Sequence, residues 1–475
     1  MKKESAIKQI KETLGPQGWS NDPDIMAPLL TDSEGGPQGN ALILACPANT
    51  EEVSTVLQLC HQANIPVVPQ GGNTGCCGGA IPNQTGTEVL LSLRRMNRIR
   101  DLDSTDYTLT AEAGCILHDL KHAAEEANRF FPLSLGAEGS CQIGGNLATN
   151  AGGINVLNYG NTRDLVLGLE VVLPDGTLWN GLRRLRKDNS GYDLKHLFIG
   201  SEGTLGIITA VTLKLFPLPH TSVTSCCALS NLESGLSLLA IAREYSGDQV
   251  NSFELLPRIA MEMIAKHRND LRLPFPSDEA QWYVLMELNS SRKNDDLAAL
   301  TETILEEAFT KNMITNAIIA QSEQQRNQLW SIREAAVEVQ KSEGYSVSHD
   351  VAVPVSKVAE LIKLTCERAS ELLPGIRPYP FGHVGDGNIH FNFFKPDDMT
   401  DIDFKGLTSK IHTLVYETVN ELNGSISAEH GIGRAKTDEL EIYRSAIEIS
   451  LMKAVKETID PSYLMNPGKV INQKT

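Results

Sequence analysis

Residues 381–394, FGHVGDGNIHFNFF, place two imidazoles on either side of a glycine-rich turn. Gly385, Asp386, Gly387 and Asn388 form a turn cluster, and IHFNFF alternates as a strand does. If the chain reverses there, Val384 opposes Ile389 and His383 opposes His390, with Cβ atoms roughly 5 Å apart. Phe381 then opposes Asn392, so one ribbon face carries His383, His390 and Asn392 while Phe391 and Phe393 point the other way. Two imidazoles on adjacent strands supply half of a metal site that needs three or four ligands. The anionic ligand must then come from elsewhere in the chain. The alternative is a pair of core or surface histidines with no ligand.

The elements that position such a site belong to a chain of 475 residues, long enough for two or three domains, with 41% hydrophobic residues. A formal charge of −17 and the absence of a sustained basic run argue against nucleic-acid binding, while a local pocket still allows a small acidic substrate. No apolar stretch approaches the roughly 20 residues that span a bilayer. The start, MKKESAIKQIKETLG, reads as a short polar helix and not as a signal or transit peptide. Nine scattered cysteines without a Cys-x-x-Cys pair read as reduced thiols in a cytoplasmic compartment.

Organisation changes along the chain. Residues 1–40 are a polar, helical segment; 41–216 alternate short apolar runs with glycine clusters; 217–425 mix helical periodicity with strands and hold the histidine ribbon; 426–475 form a tail with a long helix. Glycine clusters recur where backbone approaches a ligand closely. Neither GGNTGCCGG nor IGSEGTLG contains G-x-G-x-x-G, and there is no G-x-x-x-x-G-K-[ST] loop. The remaining use is a nest of exposed backbone N–H groups around a pyrophosphate, for which PQGGNTGCCGG after IPVV is well suited.

The ordered set PVVPQGGNTG, PLSLGAEGSCQIGGNLATNAGG and LRKDNSGYDLKHLFIGSEGTLGIIT resembles the flavin-binding domain of the vanillyl-alcohol oxidase type, and GHVGDGNIH with AEHGIG is similar to its D-2-hydroxy acid dehydrogenase branch. The resemblance implies an α+β fold: a two-part FAD-binding domain, an α+β substrate (cap) domain and a C-terminal helical tail that returns to the flavin. It assigns FAD to Pro69, Gln70, Gly71, Gly72, Asn73, Thr74 and Gly75, helped by Ser140, Gly144, Gly145 and Asn150, with Glu202, Gly203 and Ile208 at the adenine end and Asn466 in the tail. Asn73 stands where some relatives carry a linking histidine, so the FAD is expected to be non-covalent. The resemblance also names the missing carboxylate, Glu429 in SAEHGIG, completing a metal site with His383 and His390. Zinc comes first for such ligands, with manganese, cobalt and iron as alternatives.

The implied reaction oxidises a D-2-hydroxy acid to its 2-oxo acid. The metal makes the hydroxyl more acidic, His430 takes its proton as general base, and the Cα hydrogen leaves as hydride to FAD. Asn392 would be a substrate or outer contact, and Arg333 matches the arginine that the family uses for a substrate carboxylate. D-2-hydroxyglutarate is the first substrate expected, then D-lactate or another D-2-hydroxy acid. Ser348 stands where glutarate-type members carry a lysine, and Val337 where they carry a hydroxyl residue, which weakens the glutarate expectation. Electron-transfer flavoprotein or a quinone-linked carrier is the expected acceptor, an oxygen-using oxidase the rival, and a homodimer is compatible with the sequence.

Overall fold

The computed structural model describes residues 1–33, 35–276 and 279–472. The chain divides into two compact units, one of Met1–Gly153, Gly160–Leu218 and Glu429–Thr475, the other of Ile154–Tyr159 and Pro219–Ala428.

The first unit contains two main sheets. Ile43–Ala45, Val89–Ser92 and Val67–Gln70 run parallel, with Val89–Ser92 in the middle and Trp19–Ser20 antiparallel on the outer edge. These three parallel strands are short, apolar and almost wholly buried, as parallel strands covered on both faces must be. The helix Thr50–Ala63 makes the crossover between Ile43–Ala45 and Val67–Gln70. The Asn49 side chain accepts from the Glu52 N–H at 2.8 Å at its start, and Asn64 in the left-handed region ends it. The N-terminal helix Lys3–Leu14 turns Ala6, Ile10 and Leu14 inward and packs on Thr50–Ala63. The second sheet is antiparallel, in the order Ile99–Asp103, Thr108–Glu112, Ile207–Lys214, Val166–Val172, Leu178–Gly181.

The second unit is built on one antiparallel sheet, in the order Ile314–Ile319, Thr221–Leu229, Trp282–Ser290, Val250–Pro257, Arg377–His383, Asn388–Phe394, Ser346–Val347, while Asp350–Ala352 also pairs with Asn388–Phe394. The helices Arg258–His267 and Glu323–Glu338 cover part of it. Ile264, Leu329 and Ile332 from the helices pack with Leu256, Leu285, Tyr379, Phe381 and Phe394 from the strands. Helix spacing puts Arg333 on the same inward side as Leu329 and Ile332, and it is buried. The six residues Ile154–Tyr159 join this unit through polar bonds, Asn251 Nδ2 to Asn155 Oδ1 at 2.6 Å and Ser252 Oγ to the Ile154 carbonyl at 2.7 Å. Among the described residues, no helix is long and apolar enough to cross a membrane.

Candidate active site

The histidine ribbon forms, with a register two residues away from the one the turn signals suggest. His390 pairs with Phe381 and Asn392 with Tyr379, so His383 is not opposite His390. The cause is Gly382, where the strand changes partner: Leu255 pairs with Gly382 and Glu254 with His383 on the neighbouring strand. Gly382 takes φ +132°, which an L side chain rarely adopts. The turn therefore closes early, with Val384 N–H donating to the Gly382 carbonyl at 3.0 Å and Gly387 N–H to that of Val384 at 3.3 Å. A shift of two preserves facing. The His383 and His390 ring centroids lie 5.6 Å apart.

Behind the imidazoles sits a carboxylate that sequence reasoning missed. Glu254 is 1% exposed; its Oε1 lies 2.6 Å from His383 Nδ1 and its Oε2 accepts from Arg333 Nε at 2.8 Å. Burial alone would push its pKa up, but the charges and hydrogen bonds of His383 and Arg333 prevail and hold it at about 2. Bonding at Nδ1 orients the His383 ring and turns Nε2 away from Glu254, the arrangement that carboxylates give to metal-binding histidines. Arg333 also lies over the Phe381 ring, 5.1 Å from its centroid. Among the described residues, its Nη groups donate to no protein acceptor.

His390 has its own carboxylate neighbour. Its Nδ1 is 3.8 Å from Oδ1 of Asp350, the residue it pairs with across the sheet, and the same oxygen accepts from Asn388 Nδ2 at 2.9 Å. Asp350 is 1% exposed. Ala428, the last residue of this unit, donates its N–H to the Asp350 carbonyl at 3.3 Å, and the chain passes from there to Glu429. Asn392 shares the ribbon face, but its amide is engaged: Nδ2 donates to Gln340 Oε1 at 2.6 Å and Oδ1 accepts from His349 N–H at 3.3 Å. Ser348 is exposed, with its Oγ 3.4 Å from that of Ser346, and Val337 is exposed as well.

In the first unit the glycine loops converge. Gly71 follows the strand Val67–Gln70, and a Cβ built on it would lie 3.4 Å from Gly145 at the start of the helix Ile143–Thr149. A Cβ on Gly72 would overlap the Ser140 carbonyl, and one on Gly144 would reach the Ala113 side chain at 2.7 Å. Gly75 and Gly145 instead open onto free space, so bare backbone lines the gap. The N–H groups of Gly71 to Gly75 donate to no group among the described residues, and Asn73 has φ +56°. Such a run of undirected donors on a turning backbone fits a pyrophosphate.

Several side chains assigned to the cofactor bind protein groups. Gln70 Nε2 donates to the Leu29 and Ala80 carbonyls at 2.8 and 3.1 Å, and Asn73 Nδ2 to that of Thr31 at 2.9 Å. Asn150, at φ +51°, ends the helix Ile143–Thr149, and its Oδ1 accepts from Arg163 N–H at 2.9 Å. Asn466 Nδ2 donates to the carbonyls of Gly79 and Glu202 at 2.8 and 2.7 Å, while its buried Oδ1 finds no protein donor among the described residues. Thr74 is half-buried, Ser140 is exposed, Ile208 is buried opposite Val171, and Gly203 packs on Pro69. The Glu202 carboxylate accepts the N–H groups of Ile432 and Gly433, each at 2.7 Å; burial raises its pKa against the lowering effect of those two donors and Lys436. Glu429 lies beside Gly152, where a Cβ would meet its Oε1 at 2.5 Å, and His430 is exposed.

Comparison with known proteins also breaks the chain near residue 218, although the C-terminal family model continues past Ala428 through residues assigned to the first unit. Residues 218–470 match the family model for FAD-linked oxidases, C-terminal domain, and residues 41–181 match that for an FAD-binding domain. A mitochondrial D-2-hydroxyglutarate dehydrogenase of Danio rerio is 39% identical over 95% of this chain and 82% of its own length. A D-2-hydroxyglutarate dehydrogenase of Xanthomonas citri pv. viticola is 38% identical over 91% of this chain and 89% of its own. Among solved structures, p-cresol methylhydroxylase superposes with a TM-score of 0.77 at 16% identity, covering 99% of this chain and 97% of that one, a likeness of fold alone.

Proposed function

We propose that this chain, which belongs to the FAD-linked oxidase family and has the two-domain FAD-binding fold of the vanillyl-alcohol oxidase type, oxidises D-2-hydroxyglutarate to 2-oxoglutarate. The chain is an FAD-dependent oxidoreductase acting on a hydroxy acid. The choice of substrate rests on relatives at 36–39% identity, from plants to bacteria, whose names carry that activity.

The observation that carries the reading at the site is the shared carboxylate of Glu254, which holds His383 on one oxygen and Arg333 on the other. An imidazole suited to a metal and a cation suited to a carboxylate are thereby kept at a fixed spacing. A dicarboxylic hydroxy acid has groups for both: hydroxyl and near carboxylate toward the imidazoles, far carboxylate toward the guanidinium, whose planar donors bind carboxylates in pairs. The absence of a lysine at Ser348 matters less on this reading, because Ser348 is exposed.

The donor set fits a divalent cation, with zinc first among the metals proposed and manganese, cobalt and iron as alternatives. His383, His390 and Glu429 would hold it, and Asp350 beside His390 would tune that ligand. The cation's contribution when bound is to acidify the substrate hydroxyl. FAD, when bound, supplies the two-electron acceptor for the Cα hydride. His430 takes the hydroxyl proton, Arg333 fixes the substrate's far end, and the glycine loops hold the cofactor without a covalent link. Nine cysteines with no disulfide among the described residues suit a reducing compartment, and the cytoplasm remains the proposed location.

A panel of D- and L-2-hydroxy acids with an artificial dye acceptor tests the reading. D-2-hydroxyglutarate should have the highest kcat/KM and its L-isomer none. Faster turnover of D-lactate would transfer the assignment to a monocarboxylic acid, and fast reoxidation by oxygen would make the chain an oxidase.

A further inference from the structure

We infer that Glu202 is a positioning residue for the loop that carries Glu429 and His430, and that it links the placement of that loop to the flavin-binding loops. The inference rests on the reading of Glu429 as a metal ligand and His430 as the base. Its basis is the pair of 2.7 Å bonds from Ile432 and Gly433 N–H to the two carboxylate oxygens. A carboxylate that accepts two backbone donors in this way is acting as the anion of a nest. Gly431 and Gly433, at φ +76° and +54°, give the backbone the turn that aims both N–H groups at it. Cys77 clamps the other side, its carbonyl accepting from Arg434 N–H at 2.8 Å and its Sγ lying 3.6 Å from the Gly431 carbonyl.

The other end of Glu202 is fixed to the elements that line the glycine gap. Its N–H donates to the Ala148 carbonyl at 2.8 Å, in the helix that begins at Ile143 with Gly144 and Gly145. Its carbonyl accepts Asn466 Nδ2 at 2.7 Å, and the next residue, Gly203, packs on Pro69. Glu202 also has φ +51°, a conformation unfavourable for a glutamate and tolerated where surrounding bonds over-determine it. One residue therefore joins the helix behind the glycine gap to the turn that begins one residue after His430. Loss of the carboxylate should loosen Glu429 and His430 while leaving the flavin loops, which hold through backbone contacts, in place.

The test uses FAD-loaded protein with Glu202→Gln, which keeps size and one acceptor oxygen, and Glu429→Gln alongside. Four quantities are read: FAD per chain, thermal midpoint, Mn²⁺ affinity of chelator-stripped holoenzyme, and the single-turnover rate of flavin reduction. Glu202→Gln should keep FAD and a near-normal midpoint, bind Mn²⁺ about 10- to 100-fold more weakly, and reduce flavin more slowly. Hydrogen exchange at Ile432 and Gly433 should accelerate. Wild-type Mn²⁺ affinity in Glu202→Gln while Glu429→Gln loses the metal would overturn this inference and leave the metal reading intact. Release of FAD with unchanged Mn²⁺ affinity in the loaded fraction would return Glu202 to cofactor binding and also overturn it. Mn²⁺ retained by Glu429→Gln would overturn both.

Discussion

On the proposed function, the glycine loops of the first unit and the histidine ribbon of the second would each hold a reactive group, and they are built for it in opposite ways. Around Gly71–Gly75 and Gly144–Gly145 the functional groups are backbone N–H donors, and the nearby side chains, Gln70 and Asn73, are engaged with other carbonyls. On the ribbon the functional groups are side chains, and what fixes them is a buried charge network centred on Glu254. A backbone cradle is sensitive to any added volume and indifferent to charge. A charge network is sensitive to the loss of one member, because the partners left behind remain buried and uncompensated.

The largest expected effect is therefore at Glu254. Glu254→Ala should lose about 3–5 kcal/mol of stability, since it strands Arg333 beside a buried imidazole; a denaturant melt like that of the wild type would break the comparison. The same residue sets an acid sensitivity. Its pKa falls from 4.5 in the unfolded chain to about 2 in the folded one, so its contribution is complete above pH 4.5 and is lost as pH falls through about 2. Stability measured across that window should decline with acid in the wild type and much less in Glu254→Gln.

Next comes His430→Asn, which should retain metal and FAD and lower the rate of flavin reduction by about 10²- to 10⁴-fold, with the residual rate rising with pH. Gly72→Ala tests the other region. Its Cβ would overlap the Ser140 carbonyl, so FAD content should fall while Mn²⁺ affinity of the fraction that keeps FAD stays unchanged. The smallest expected change is none: acid precipitation should leave no flavin in the pellet, because Asn73 stands in place of a linking histidine.

Legibility in the sequence follows the same line. Backbone chemistry leaves a local signature, and clustered glycines after IPVV are visible as such. The ribbon also announces itself through its turn residues and alternation. Its register does not, because Gly382 leaves the hairpin to pair with Leu255, 127 residues earlier, and no local rule reports that pairing. Glu254 and Asp350 are invisible for a related reason. Each is a lone acid in a short apolar run, FELLP and HDVAV, where alternation assigns it to a solvent face. An acid flanked by apolar residues on both sides of a strand buried on both faces was the available signal. Arg333 is singled out in the sequence only by the family resemblance, as a substrate-carboxylate arginine; its burial beside Glu254 is a tertiary fact that its helix does not announce. Glu202 reads as a cofactor residue from its place in GSEGTLG, yet its carboxylate binds the 432–433 backbone, more than two hundred residues away.

The most direct measurement is single-turnover flavin reduction by D-2-hydroxyglutarate under anaerobic conditions, in holoenzyme stripped of metal by a chelator and then given back Zn²⁺ or Mn²⁺. The account predicts an intact visible flavin band that stays unbleached without metal, bleaches rapidly once it is restored, and does not respond to the L-isomer. Full-rate bleaching by D-2-hydroxyglutarate in verified metal-free enzyme would contradict it.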